Sequence, residues 1–424
     1  MNRSTSKLGF NSTWSMAVGG MVGGGIFSTL GVVVAISGAW AWLSFVVAGL
    51  IALAAGYSYV ALSKRYGEGG GAFTFLREID AVGLAGSISW ILIFGYVLTN
   101  AVYAFTFGQY LGHVVGLGPW FPRVVGVAIV ILFVGVNLRG VGEAGGVEVV
   151  LVWFKLAVLV ALAGLGLYHW QPEMLSRGVP DVGIVTALFG ASSVFMAYEG
   201  FQLLTYDYED IENPRKTLPR AVLSAIVVVI AVYVLVTLGT TMLVGADGVV
   251  KHKEVALAIA GQQAFGTAGL AVVTLAAAFS TGSAINATLF ATARLAHTVA
   301  KGRELPRMLD HKNQQGIPDR AVVILGVAAA ALAALGTLDA LVEAASLAFL
   351  FTFCVVCGLA FRQRAGLRLV TGAGALAAAL ACGTLMFRLA RTDPLALGFI
   401  ALIALLAIFG RPLILRHVGL DDSD

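Results

Sequence analysis

Apolar residues in this chain come in long runs, separated by short polar or Pro/Gly-rich breaks. Between those breaks lie about twelve segments: 12–36, 40–62, 84–113, 121–138, 147–168, 183–206, 219–244, 265–299, 321–337, 341–361, 367–388 and 394–412. Most reach the roughly 20 residues an α-helix needs to cross a hydrocarbon core. The period-two segments of about ten residues that mark a membrane β-barrel are absent. The pattern predicts an all-α membrane protein of about twelve transmembrane helices. The polar start "MNRSTSKLGFNSTW" runs straight into the first segment, so no cleavable signal is expected. The longest polar connections, 64–83, 207–218 and 300–320, leave no room for a soluble domain, and a single transmembrane domain over 1–424 is expected.

One segment conflicts with its setting. "GGMVGGGIFSTLG" (Gly19–Gly31) places five glycines within seven residues, each costing about 1 kcal/mol relative to alanine in a helix interior. A break in the helix would explain them. Its freed N–H groups and half-helix dipole suit a carboxylate, and carbonyls near Gly20 and Met21 suit a cation or an ammonium. The alternative is a small-residue packing face, because Gly19–Gly23 and Gly20–Gly24 have GxxxG spacing. Three consecutive glycines favour the break. Segment six offers a partner interruption at "AYEGF" (Ala197–Phe201). If segments 1–5 and 6–10 are two halves, the interruptions correspond in position, which points to a secondary-transporter site.

Composition sharpens this picture. Of 424 residues, 59% are hydrophobic and 12% charged, with mean hydropathy +0.90, whereas soluble domains carry about a quarter charged residues. Of the 27 Lys/Arg, 20 fall on the side of the N-terminus, six on the other, and Lys155 lies within a span. This places both termini in the cytoplasm and makes the net charge of +4 a topological bias rather than a nucleic-acid patch. Cys354, Cys357 and Cys382 lie in apolar spans and read as small core residues. All six histidines lie near span ends or in loops, no span offers a nucleophile with a base, and no Lys-Ser/Thr follows the glycine run. An enzyme and an ATP-driven pump are therefore not expected.

Ionisable groups at membrane depth mark function by default. Lys155 lies eight residues into the fifth span, about 12 Å deep at 1.5 Å per residue. Glu199 lies in the later half of the sixth, and Glu343, near the start of the tenth, is expected to reach the interface. Tyr96, Asn100 and Tyr103 share a helix face that could line a pocket.

Four stretches together resemble the amino acid–polyamine–organocation (APC) transporter family, as found in proton-coupled prokaryotic permeases. They are "MVGGGIFSTLG" (21–31), "ALSKRYGEGGGAFTFLREI" (61–79), "FMAYEGFQLLTYDYEDIENPRKTLPRAV" (195–222) and "FSTGSAINATLFATARLAHTVAKGRELPRMLDHKNQQGIPDRAV" (279–322). The resemblance implies a LeuT-type fold with broken helices one and six. Its five-plus-five inverted repeats would span 12–168 and 183–361, with extra helices at 367–412. It implies alternating access at a prokaryotic cell membrane. Gly23, Gly24 and Gly25 would receive an α-carboxylate, flanked by Val22 and Ile26, and the backbone of Phe195, Ala197 and Tyr198 an α-amino group. Phe195 or Phe201 would gate the substrate. Gly24 stands where the family usually has Ser/Thr, so a hydroxyl that helps hold the carboxylate is missing. Glu199 stands where many members are apolar; a carboxylate there could attract an amine-bearing or cationic side chain or a polyamine, or could take part in proton transfer alongside Lys155.

Lys155 matches a lysine of proton-coupled members that faces helix-one carbonyls, here near Gly19 to Val22, and helix-eight hydroxyls, here Ser280, Thr281 or Ser283. Its ammonium occupies the place of sodium in related carriers, so a proton gradient, with no cofactor or metal, is the expected drive. The expected partners are the lipid bilayer and a small substrate, an amino acid or amine. Exchange of polyamines or cationic amines is the alternative, encouraged by Glu199. A non-transporting amino-acid sensor is a third reading, disfavoured by the short tails. The "EDIENPRKTLPR" loop is expected to shape the inner gate without touching substrate.

Overall fold

The computed structural model describes residues 7–69, 71–140 and 145–405, which form helices with no β-strand among them. The first half comprises α1 (Phe10–Ser37), α2 (Ala41–Tyr66), a short α3 (Gly71–Arg77), α4 (Val82–Val115), α5 (Phe121–Leu138) and α6 (Gly145–Tyr168). Next come α7 (Thr186–Ser193), α8 (Pro214–Lys251), α9 (Ala256–Lys301), α10 (Asp319–Leu335) and α11 (Leu338–Arg362), followed by α12 (Arg368–Thr392) and α13 (Pro394–Leu405). Residues 406–412 of the last expected span, with Arg3, Arg411 and Arg416, lie outside the described residues.

Eight helical runs among the described residues are long and apolar enough to cross a membrane, with α1 and α2 joined in one of them. Helix α5 is the most peripheral of these, with Ile131 and Leu132 more than half exposed, as lipid-facing residues should be. Two span ends read from the sequence are backbone kinks. The run 219–244 ends at Gly245 (φ 75°, ψ 159°) inside α8, and the run 265–299 begins at Phe265–Gly266 inside α9. Glycine permits the positive φ at both turns.

The loop before α8 has a structural task. Leu8 pairs in parallel with Ile211, its N–H donating to the Asp210 carbonyl (2.8 Å) and its carbonyl accepting from the Glu212 N–H (2.9 Å). Asn213 then takes a left-handed conformation and Pro214 starts α8, where proline's missing N–H costs nothing.

Helix α1 is the axis of the bundle: from Ala17 to Val34 every residue is buried except Gly20, which is partly exposed. Here one expectation is corrected. No interruption exists at Gly23–Gly25, and α1 is continuously α-helical from Phe10 to Ser37. These glycines work by lacking a side chain. A Cβ on Gly23 would lie 2.5 Å from Ala284 Cβ, one on Gly24 2.1 Å from the Tyr103 ring, and one on Gly25 2.2 Å from the Tyr233 hydroxyl. The GxxxG packing face is thus what the sequence encodes, and three glycines in a row are needed because neighbours approach on three sides. With the helix closed, the N–H groups of Gly23–Gly25 are committed to carbonyls four residues earlier.

Gly23→Ala should lower stability by about 1–3 kcal/mol through overpacking, seen as a reduced melting temperature in detergent. Ala284→Gly in the same chain should restore much of the loss, because it removes the atom the new methyl meets.

Candidate functional site

The interruption expected in segment six is present. Helix α7 stops at Ser193, and tight 3₁₀ turns cover Phe195–Tyr198 and Phe201–Thr205. Between them Glu199 is extended (φ −68°, ψ 151°) and Gly200 has φ 123°. Only glycine fits there, for a second reason too: a Cβ on Gly200 would lie 2.6 Å from the Gly20 backbone carbon. The two segments of the chain meet backbone to backbone.

Unwound backbone at this depth survives only if neighbours supply its hydrogen bonds. Ser346 on α11 accepts from the Met196 N–H (3.0 Å) and donates to the Ser193 carbonyl (2.8 Å). The Tyr233 hydroxyl on α8 lies 2.7 Å from the Met21 carbonyl and 2.8 Å from that of Ala197, pinning the interruption to α1. Gln202 Oε1 accepts from the Gly200 N–H (3.0 Å). Tyr198 donates to the Phe45 carbonyl on α2 (2.7 Å).

Glu199, 1% exposed, is held by two neutral donors. The Tyr103 hydroxyl donates to Oε2 (3.2 Å) and Gln202 Nε2 to Oε1 (3.5 Å), while the same Nε2 donates to the Tyr96 hydroxyl (3.1 Å). Asn100 donates to its own helix, to the Tyr96 carbonyl. The Phe195 and Phe201 rings, both fully buried, meet at Phe353, with centroids 5.6 and 5.5 Å away.

Across α1 from this network lies Lys155 on α6, 1% exposed, whose Nζ donates to the Gly19 carbonyl (3.3 Å). Ser280 on α9 donates to the Val22 carbonyl (2.6 Å). Lys155 and Ser280 thus each donate to a carbonyl of α1, three residues apart. Thr281 and Ser283 instead donate to carbonyls of α9 itself, Ala277 and Ser280. Val22 and Ile26 are fully buried. Glu343 departs from expectation: it is buried at 5% and ion-paired with Arg388 on α12, which also reaches Ser193. A buried carboxylate is tolerable here because its counter-charge, the half-buried Arg388, is paired with it.

A cavity of about 450 Å³ lies between the first turns of α1, the 200–210 segment and α9. It is lined by Lys7, Asp207, Asp210 and Arg294 at one end and by Gly19, Gly20 and Gly200 at the other. Arg294 is ion-paired with Asp207 (2.6 Å). The cavity thus reaches the Gly20–Gly200 crossing, while Glu199 and Gly23–Gly25 do not line it. Sequence reasoning missed Tyr233, Gln202 and Glu148, since a tyrosine in an apolar helix, an amide after an aromatic and a carboxylate near a span end carry no signal of what they will meet.

The family model described as amino acid permease matches residues 8–409. The inner membrane transport protein YbaT of Escherichia coli is 30% identical over 377 residues, covering 86% of this chain and 85% of that one. The serine/threonine exchanger SteT of Bacillus subtilis is 25% identical, covering 71% and 69%. Among solved structures, MhsT in complex with L-phenylalanine superposes with a TM-score of 0.61 over 96% of this chain and 97% of that one, at 16% identity. The fold is of the LeuT type.

Tyr233→Phe should cost about 1–3 kcal/mol, because two buried carbonyls lose their shared donor. Tyr198→Phe, which frees a single carbonyl on α2, should cost less; paired thermal unfolding in detergent would rank them.

Proposed function

The chain belongs to the amino acid permease family, whose members are transporters rather than enzymes, and from that premise we propose that it moves an amino acid across the cytoplasmic membrane by alternating access, driven by protons. The observation that carries the coupling is the Lys155 ammonium on the Gly19 carbonyl, with Ser280 on Val22 three residues along the same helix. A cation tied to α1 carbonyls can report its protonation to the helix that lines the substrate path. When the proton leaves, the amine loses its charge-assisted hold on Gly19 and α1 is freer to move. A fixed ammonium there also argues against sodium.

In this reading the substrate sits beyond the Gly20–Gly200 crossing, between Gly23–Gly25 and the Phe195–Glu199 turn. For the glycines to bind a carboxylate, α1 has to open by about one turn, because its N–H groups are otherwise used within the helix. Successive glycines make that opening cheap. The 450 Å³ cavity is then the cytoplasmic vestibule, consistent with its basic and acidic rim and with both termini inside. Segments 12–168 and 183–361 are the inverted repeats. Similarity to the serine/threonine exchanger SteT supports a neutral amino acid as cargo.

A second reading has its own observation. Glu199 is buried among neutral donors, and a substrate amine would supply the missing positive charge. Polyamine or cationic-amine exchange follows if that carboxylate binds cargo.

The test is uptake of labelled proteinogenic amino acids, putrescine and spermidine into proteoliposomes, with an imposed pH gradient and no sodium. Gradient-driven accumulation of a neutral amino acid is expected, with Lys155→Ala lowering it to the level seen without a gradient. If only amines move, and Glu199→Gln stops them, the second reading replaces the first.

A further inference from the structure

Glu148 is a buried carboxylate that the proposed transport cycle leaves without a task. It sits on α6, 8% exposed, and lines the cavity. Its Oε1 rests against the Cα of Gly19 so closely that a methyl there would lie 2.1 Å from it. The Lys155 ammonium donates to the carbonyl of that same Gly19. The two residues are seven apart on one helix, which returns them to nearly the same face two turns on. Both charged ends converge on a single glycine, one from the cavity side and one from the interior.

We propose that Glu148 is the proton relay between Lys155 and the cytoplasm. The step balances without any further reagent. The Lys155 ammonium gives a proton to the Glu148 carboxylate, directly or through one water, leaving a neutral amine and a carboxylic acid. The acid then releases the proton to water in the cavity and returns to the carboxylate. Gly19 has no side chain because one would displace the relay. The charged groups that line the cavity with Glu148 are Lys7 before α1, Asp207 and Asp210 on the 200–210 segment and Arg294 on α9, while α5 contributes the neutral Asn137; Lys155, on Glu148's own helix, reaches the same glycine from outside that lining. Arg294 is engaged by Asp207, so the ion pair at the mouth leaves Glu148 as the carboxylate at the cavity's inner end.

This inference rests on the proton-coupled reading, and one experiment separates the two. Proteoliposomes carrying an internal pH dye are loaded with whichever panel amino acid wild type accumulates under the gradient. Gradient-driven accumulation and substrate-linked acidification are compared with exchange at equal pH. Glu148→Gln should lose acidification by about tenfold or more, as expected for removal of a general acid–base group, yet keep equal-pH exchange. Glu148→Asp should recover part of it. Retained acidification in Glu148→Gln, with acidification lost in Lys155→Ala, overturns the relay and leaves the coupling reading intact. Loss of exchange together with acidification in both Glu148 variants also overturns it, because the residue then only supports the fold. If wild type accumulates nothing with the gradient, the coupling reading falls and the relay with it.

Discussion

Everything at the centre of this molecule depends on satisfying a short piece of unwound backbone in an apolar interior. Between Val194 and Gly200 the chain gives up regular helical hydrogen bonding, and each lost bond has to be made good by a particular neighbour. Ser346, Tyr233 and Gln202 do so from three different elements. Their positions fix how α8 and α11 sit against the interruption. Tyr233 does more than satisfy a carbonyl, because its hydroxyl also meets Met21 and so joins the interruption to α1.

That junction explains why α1 is rich in glycine yet unbroken. The helix has to lie close to Tyr103, Tyr233, Ala284 and the Gly200 backbone at once, and a helix can do so only by shedding side chains. Its spare carbonyl lone pairs then become attachment points, with Lys155 on Gly19, Tyr233 on Met21 and Ser280 on Val22 in a single turn. Three side chains from three different helices thus hold α1, and of these three Lys155 is the one that can carry a charge.

The placement of ionisable groups follows the same economy. Glu343 is neutralised in place by Arg388, and Arg294 by Asp207 at the cavity mouth. Glu199 and Glu148 are treated differently: the first is surrounded by neutral donors and the second lies at the inner end of a cavity. Buried charges with partners stabilise an arrangement, because each offsets the other's cost of burial.

The amino-acid sequence by itself determined the helical membrane class, the approximate spans, the interruption at Glu199–Gly200 and the presence of a lysine, Lys155, deep within a span. These rest on local properties: run length, positive φ at glycine, and the cost of charge in an apolar segment. The span ends read at 244 and 265 fall where the structure has kinks at Gly245 and Phe265–Gly266, but the helices continue beyond them. Whether Gly23–Gly25 break a helix or pack one could not be read locally, because both uses ask for the same residue. Only the tertiary structure decided it, by bringing Ala284, Tyr103 and Tyr233 from elements 79 to 261 residues away against the missing side chains. The same is true of Ser280 over its neighbours Thr281 and Ser283, and of Glu148 beside Gly19. A hydroxyl or carboxylate takes its meaning from which foreign backbone it faces, and that is set by the packing of whole helices.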